Sequence, residues 1–285
     1  MRYSPVALGA HLKFIEEAAV FQFMDSRYNR QEVMPEWGPE RQQDLQNARV
    51  VAIGAGGVKS TLLMSLVSAG IGKLRVIEFD RVELSNLNRQ LLYRTSDIGK
   101  SKALACQATL TDLNPDVEIE TINEKVSRSS IKQLCDSFDF VVEGGDSPSG
   151  RNLINEYCLT TKKPFVHASA QFNYGYVFSV VPALQTACFA CFFPNDHARK
   201  EHTGPVPISV LATSVAGSLG AAEVLKWYMG YHDSMLVNRR LCFSSLLLSG
   251  EFTIESQPRR LDCPICSTYY QPPANTESWL RSDTP

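Results

Sequence analysis

Two pairs of cysteines carry the most specific chemistry in the chain. Cys188-x-x-Cys191 and Cys263-Pro264-Ile265-Cys266 have the spacing of the knuckles that hold zinc tetrahedrally in four-cysteine sites. Four thiolates close the coordination shell, so the metal would be structural. The pairs lie too far apart for a zinc ribbon, and a metal between them would clip the carboxyl-terminal tail onto the body of the chain. A redox role fits less well, because neither pair opens a helix directly after a strand. Cys106, Cys135, Cys158 and Cys242 fall in segments that read as helix or strand, where a cysteine is by default a small buried hydrophobe.

A second group of residues suits anions. Gly54-Ala55-Gly56-Gly57-Val58-Lys59-Ser60 stands where a strand hands over to a helix, and backbone N–H groups with a helix dipole bind phosphate at such places. The dinucleotide fingerprint wants a third glycine where Lys59 falls, so the turn alone fits a tight strand-helix connection equally well. It also lacks the lysine and hydroxyl spacing of a P-loop. Glu78-Phe79-Asp80 follows about 20 residues on, the usual separation for an acidic group that accepts hydrogen bonds from ribose. Strand alternation puts Glu78 and Asp80 on one side. Next come Ser85-Asn86-Leu87-Asn88-Arg89-Gln90 and Gly99-Lys100-Ser101-Lys102. Arg89 and Lys102 supply charge for a triphosphate, and Asn86 and Gln90 supply directed hydrogen bonds. An exposed loop followed by a basic helix start would read the same way.

Positioning such groups needs a scaffold, and the periodicity supplies one. Strands are expected at 49–53, 74–79, 117–122, 138–142 and 165–168, with helices at about 58–69, 99–113, 128–135 and 150–161 between them. This alternation implies an α/β fold with a doubly wound, mostly parallel, Rossmann-like sheet. After residue 170 the pattern changes to strands at 174–181 and 241–248 around one long helix at about 209–229, which is expected to add an antiparallel extension. No linker or internal repeat divides the chain. Residues 26–285 therefore read as one domain, preceded by a helical extension at 1–25.

Of the 285 residues, 44% are hydrophobic and 20% charged, which describes a globular chain with material for a substantial core. No stretch approaches the roughly 18 to 20 apolar residues that span a bilayer. The amino terminus carries Lys13, Glu16 and Glu17 within its apolar part, unlike a signal peptide. A cytoplasmic address is expected, and there eight cysteines do not form a disulfide framework. A formal net charge of −2 gives no field to gather nucleic acid.

As an ordered set the motifs resemble the adenylating enzymes of the ThiF/MoeB type, which share their core with ubiquitin-activating enzymes. The resemblance covers about residues 27–266. It rests on Arg27-Tyr28-Asn29-Arg30-Gln31, the Gly54 turn, Glu78-Phe79-Asp80, Ser85 to Gln90, Lys102, Asp146 followed by Arg151-Asn152, and both cysteine knuckles. It implies an ATP-dependent adenylyltransferase whose Gly54, Gly56, Gly57, Glu78, Asp80 and Gln90 bind the nucleotide. It further implies that Arg89 and Lys102 neutralise phosphates, that Asn86 with Gln90 completes the pocket, and that Asp146 associates with Mg2+. Arg30 matches an arginine that reaches the ATP of a neighbouring subunit, so a homodimer with composite sites is expected.

The chemistry agrees with these residue types. A carboxylate becomes a good acyl donor when it attacks the α-phosphate of ATP and expels pyrophosphate, and the cations and Mg2+ would stabilise the departing charge. Many relatives carry a cysteine after the first knuckle for covalent relay, and here 192–208 contains none. The segments 153–158 and 163–167 look closer to the peptide-modifying members, those of microcin C and pantocin A biosynthesis. A peptide carboxylate is therefore the preferred substrate, with the terminal glycine of a ubiquitin-like sulfur carrier as the alternative. An NAD-dependent oxidoreductase would need only the Gly54 turn and Glu78, and the Arg89/Lys102 cluster with the two knuckles argues against it. A non-catalytic scaffold is disfavoured by the presence of Arg30, Arg89, Lys102 and Asp146. His167, which ends the strand at 165–168, and His197 and His202 in the crossover region are left out of the catalytic set.

Overall fold

The computed structural model describes residues 27–144, 147–194, 196, 204 and 206–270. The helical extension expected at 1–25 lies outside them. Five parallel strands form the first part of one sheet: β1 (Arg49–Ile53), β2 (Lys73–Ile77), β3 (Glu118–Ile122), β4 (Phe140–Glu143) and β5 (Phe165–Gln171). Three antiparallel strands extend it: β6 (Tyr174–Val180), β7 (Arg239–Ser244) and β8 (Glu251–Ser256). The order is β3-β2-β1-β4-β5-β6-β7-β8. The connecting helices are α1 (Asn29–Glu32), α2 (Gly38–Gln46), α3 (Gly57–Ala69), α4 (Lys102–Leu113), α5 (Ile131–Cys135), α6 (Pro148–Thr161), α7 (Phe189–Phe192), α8 (Val210–Tyr228) and α9 (Cys266–Tyr269).

The central strands read as unbroken apolar runs because both of their faces are covered. Val50, Ala52, Phe140 and Val142 pack with Leu62, Leu66, Ala221 and Val224 of α3 and α8. Val51 and Val141 face the other layer, with Phe138, Ile154, Phe165, Phe178, Phe189 and the four knuckle cysteines. The tail is thus buried against the sheet through Cys263 and Cys266. Among the described residues no helix is long and apolar enough to cross a membrane.

Three segments differ from the sequence expectation. β5 runs on to Gln171 and turns through Phe172 and Asn173, with Phe172 at φ +51°. That left-handed conformation is uncommon for an aromatic residue, and pairing of Phe172 with Pro207 and Ser209 holds it (2.7 and 3.0 Å). The strand expected at 241–248 stops at Ser244, because Ser245 takes φ +54° and its carbonyl accepts from the amides of Leu248 and Gly250. The chain then returns as β8, an edge strand exposed along its whole length, for which no strand was expected.

Candidate nucleotide site and zinc centre

The sheet is wound outward in both directions from the β1/β4 pair, and open α/β sheets bind ligands in the crevice at the carboxyl ends of such a pair. The backbones meet closely there. Gly54 has φ +89° and its amide donates to Ile77 O (2.8 Å). A Cβ on Gly144, at the end of β4, would stand 2.0 Å from Ile53 O, so only glycine fits. α3 starts immediately beyond, with Gly56 as its cap and so no cap side chain for its first amides, an arrangement that suits an anion.

The glycine turn is held from both sides. The Glu78 carboxylate accepts from the amides of Ala55 (2.8 Å), Phe79 (2.8 Å) and Asp80 (2.9 Å). The Tyr93 hydroxyl donates to Ala55 O (2.9 Å). Burial holds the Tyr93 phenol well above its ordinary range, so it stays a donor. A carboxylate offers about four acceptor positions, and Glu78 uses three, leaving room for a ribose hydroxyl.

Glu78 and Asp80 do not share a strand face as expected, because β2 ends at Ile77. Asp80 instead meets Lys102, whose buried ammonium lies 3.2 Å from its carboxylate. A short antiparallel pairing makes this contact: Arg81 bridges Ser101, Val82 N donates to Lys100 O, and Lys102 N donates to Asp80 O. Asn86 shapes the next turn, with its side-chain oxygen accepting from Glu83 N (3.2 Å) and its carbonyl accepting from the amides of Arg89 and Gln90. Arg89 donates to Ser85 O (2.8 Å) and Asn88 Oδ1 (2.9 Å), and a Cβ on Gly57 would stand 3.3 Å from its Cγ. The arginine's stem therefore packs against Gly57 while its guanidinium is held by its own loop. Gln90 is buried, and among the described residues its side-chain oxygen has no hydrogen-bond partner. Gly54, Gly56, Gly57, Glu78, Asp80, Asn86, Arg89, Gln90 and Lys102 thus lie in the turns that follow the carboxyl ends of β1 and β2.

Two expected site residues stand apart. Asp146 lies outside the described residues. Arg30 sits on α1 beside Gln31, which donates to Ala69 O at the far end of α3 from the glycine turn. Helix geometry separates those ends by about 20 Å, so Arg30 does not join the cluster of its own chain.

The four knuckle sulfurs come together as expected. Sγ separations are 3.9 Å for Cys188–Cys191, 3.8 Å for Cys188–Cys263 and 3.7 Å for Cys191–Cys266, and all four lie within 4.8 Å of one another. A regular tetrahedron with metal–sulfur arms of ~2.3 Å has edges of about 3.8 Å, so the cage already has the size zinc requires. The thiols share S–H···S contacts.

The family model described as "ThiF family" matches residues 28–265. The chain belongs to the ThiF family. Among relatives, a sulfur carrier protein adenylyltransferase of Thermus thermophilus is 36% identical over 251 residues, which are 84% of this chain and 90% of that one. A SAMP-activating enzyme E1 of Haloferax volcanii is 33% identical, with 84% and 88% covered. The adenylyltransferase and sulfurtransferase MOCS3 of Aedes aegypti is 33% identical, and here the match takes in 85% of this chain but only 55% of the relative. In solved structures, E. coli MccB with MccA-N7isoASN superposes with a TM-score of 0.76 over 93% of this chain and 83% of that one, at 23% identity. That likeness concerns the fold.

Beside the crevice this ThiF-family chain has a second polar network. His167 lies within β5 rather than at its end, opposite Glu143 of β4. Its Nδ1 is in close hydrogen-bond contact with the Glu143 carboxylate, both residues are buried, and among the described residues Nε2 has no hydrogen-bond partner. The ring is enclosed by Tyr176, Phe178, Phe189 and Phe193. Arg151 forms a bidentate pair with Asp196 (3.0 Å for each bond). His197 and His202 lie outside the described residues. Glu143, Tyr93 and Asp196 were not singled out in the sequence. Glu143 ends an apolar strand, where a carboxylate is costly unless paired, and that is the one signal that marked it.

Proposed function

We propose that this chain is an ATP-dependent adenylyltransferase that activates a carboxylate on a small protein or peptide. The observation that carries the reading is a glycine turn at the β1/β4 crevice that the Glu78 carboxylate holds and the Arg89 stem packs against, with Lys102 tied to the same acidic turn through Asp80. Glu78 would take the ribose, while Arg89 and Lys102 face the polyphosphate. Lys102 is held by Asp80 until the phosphates arrive, which keeps its ammonium in place and partly neutralised. The substrate carboxylate attacks the α-phosphorus, the bond to the β-phosphate oxygen breaks, and pyrophosphate leaves with its electron pair. Charge grows on that leaving group in the transition state, so fixed cations lower the barrier. Mg2+, when bound near Asp146, would neutralise further phosphate charge. Arg30, set away from its own crevice, would serve that of a second copy in a homodimer.

Substrate class follows the relatives more closely than the fold. Identity of 36% across 90% of a sulfur carrier protein adenylyltransferase supports a carrier protein's carboxyl terminus. The peptide reading keeps one specific observation, the lack of any cysteine at 192–208 to take an acyl group. ATP–pyrophosphate exchange separates them. A carrier protein ending in Gly-Gly and a set of short peptides are supplied in turn, and the carrier should stimulate exchange while the peptides do not. Exchange with peptides alone would reverse the assignment.

A further inference from the structure

The turn between β5 and β6 puts an aromatic residue where glycine is the usual occupant. Gln171 pairs with Tyr174, which leaves Phe172 and Asn173 as a two-residue turn, and the first position of such a turn favours glycine when its φ is positive. Phe172 holds that position at φ +51° and is 48% exposed, so core packing does not account for the ring. Its ring stacks on Tyr174, itself 43% exposed, with centroids 5.7 Å apart and planes 22° from parallel. Non-glycine residues in this region persist where neighbouring structure fixes them, and they cluster at ligand clamps.

The tie that fixes Phe172 also places it. Its carbonyl accepts from Ser209 N (3.0 Å), Ser209 O accepts from Thr213 N (3.2 Å), and Thr213 Cγ2 lies 2.9 Å from the place a Cβ on Gly57 would take. One turn of α8, about 6 Å of rise, together with the bonds at its ends sets the aromatic pair roughly 10–15 Å from the glycine turn. Val206 (42%) and Leu211 (45%) beside this tie are exposed as well. Neither 171–174 nor 206–211 contains a charged residue, so the crevice has a neutral apolar rim on its α8 side. We propose that Phe172 and Tyr174 bind the substrate segment that leads to the activated carboxylate, and so determine which substrate enters. The proposal rests on the adenylation reading above. A gap of that size is spanned by about three to five extended residues. The occupant is therefore a neutral segment with an apolar side chain at that distance before its carboxylate. A charged side chain there would lose hydration without gaining a partner.

The test is ATP–pyrophosphate exchange on the full chain, driven by whichever carboxylate stimulates wild type, a carrier protein ending in Gly-Gly or a short peptide. The apparent KM for that carboxylate is read for wild type, Phe172→Asn, Phe172→Tyr and Tyr174→Ala. Asparagine tolerates the left-handed conformation, so Phe172→Asn removes the ring and keeps the turn. Its melting should be unchanged or higher, and its ATP affinity by titration calorimetry should stay within about 2-fold of wild type. Its KM for the carboxylate should rise roughly 10-fold, the size of a lost aromatic contact, and Tyr174→Ala should move it the same way while Phe172→Tyr keeps it near wild type. Aspartate placed about three to five residues before the substrate carboxylate should raise KM in wild type and matter less in Phe172→Asn. If Phe172→Asn melts earlier, Phe172→Gly is read in the same assays. An unchanged KM in both ring-removing variants overturns the proposal. So does a KM rise matched by an equal loss of ATP affinity, or a change of oligomeric state in light scattering, which would put a second copy on the rim. Wild type without any carboxylate-dependent exchange overturns the adenylation reading itself, and the proposal with it.

Discussion

Ala55 donates its backbone amide to the Glu78 carboxylate at 2.8 Å, across 23 positions of sequence. The bond ties the glycine turn after β1 to the acidic turn after β2, so one carboxylate shapes that turn and, in the proposed reading, would offer acceptors to a sugar. Because Glu78 is buried, Glu78→Gln forces an amide group against backbone N–H donors. Leaving a buried donor unsatisfied costs about 1–3 kcal/mol. Denaturant unfolding should show a loss of that size, and titration should show weaker ATP binding. A variant with wild-type stability and ATP affinity would remove Glu78 from both roles.

The zinc cage gives a second prediction. Metal analysis should find about one zinc per chain. Cys263→Ser should lose the metal and melt earlier, since metal-binding energy in such sites is also folding energy. The ligands must be deprotonated, so zinc should be released as pH falls, taking stability with it. A metal-free protein that melts like wild type contradicts a structural zinc site.

Arg30 and Asp146 test whether the sites are composite. Each alanine variant alone should be inactive. After dissociation and reassociation, a mixture of Arg30→Ala and Asp146→Ala chains should regain part of the activity, because a heterodimer can assemble one site free of both defects. Persistent inactivity in the reassociated mixture contradicts an arginine supplied across subunits.

Much of the fold was legible because the core strands are buried on both faces and bounded by glycine or proline. The run from Val50 to Ile53 and the stop at Pro115 left little choice. β8 was not legible, because an edge strand with one partner and no buried face needs no apolar alternation of its own. The four-cysteine cluster could be read from spacing alone, since the tetrahedral geometry of a zinc site would constrain each knuckle locally. The pairing of Lys102 with Asp80 could not be read, because it depends on the small ladder between 81–82 and 100–101. The role of Asn86 in shaping its own turn was hidden for a similar reason: an amide suited to a ligand is equally suited to a nearby backbone.

The most direct measurement of the central claim is the bond at which ATP is cleaved. Wild-type protein with its carboxylate substrate should yield AMP and pyrophosphate, and labelled pyrophosphate should return to ATP. Arg89→Ala and Lys102→Ala should each suppress that exchange by roughly 10²-fold or more, as expected for groups that stabilise transition-state charge, while thermal melting stays unchanged. Formation of ADP and phosphate, or exchange that survives in both variants, would contradict adenylation at this site.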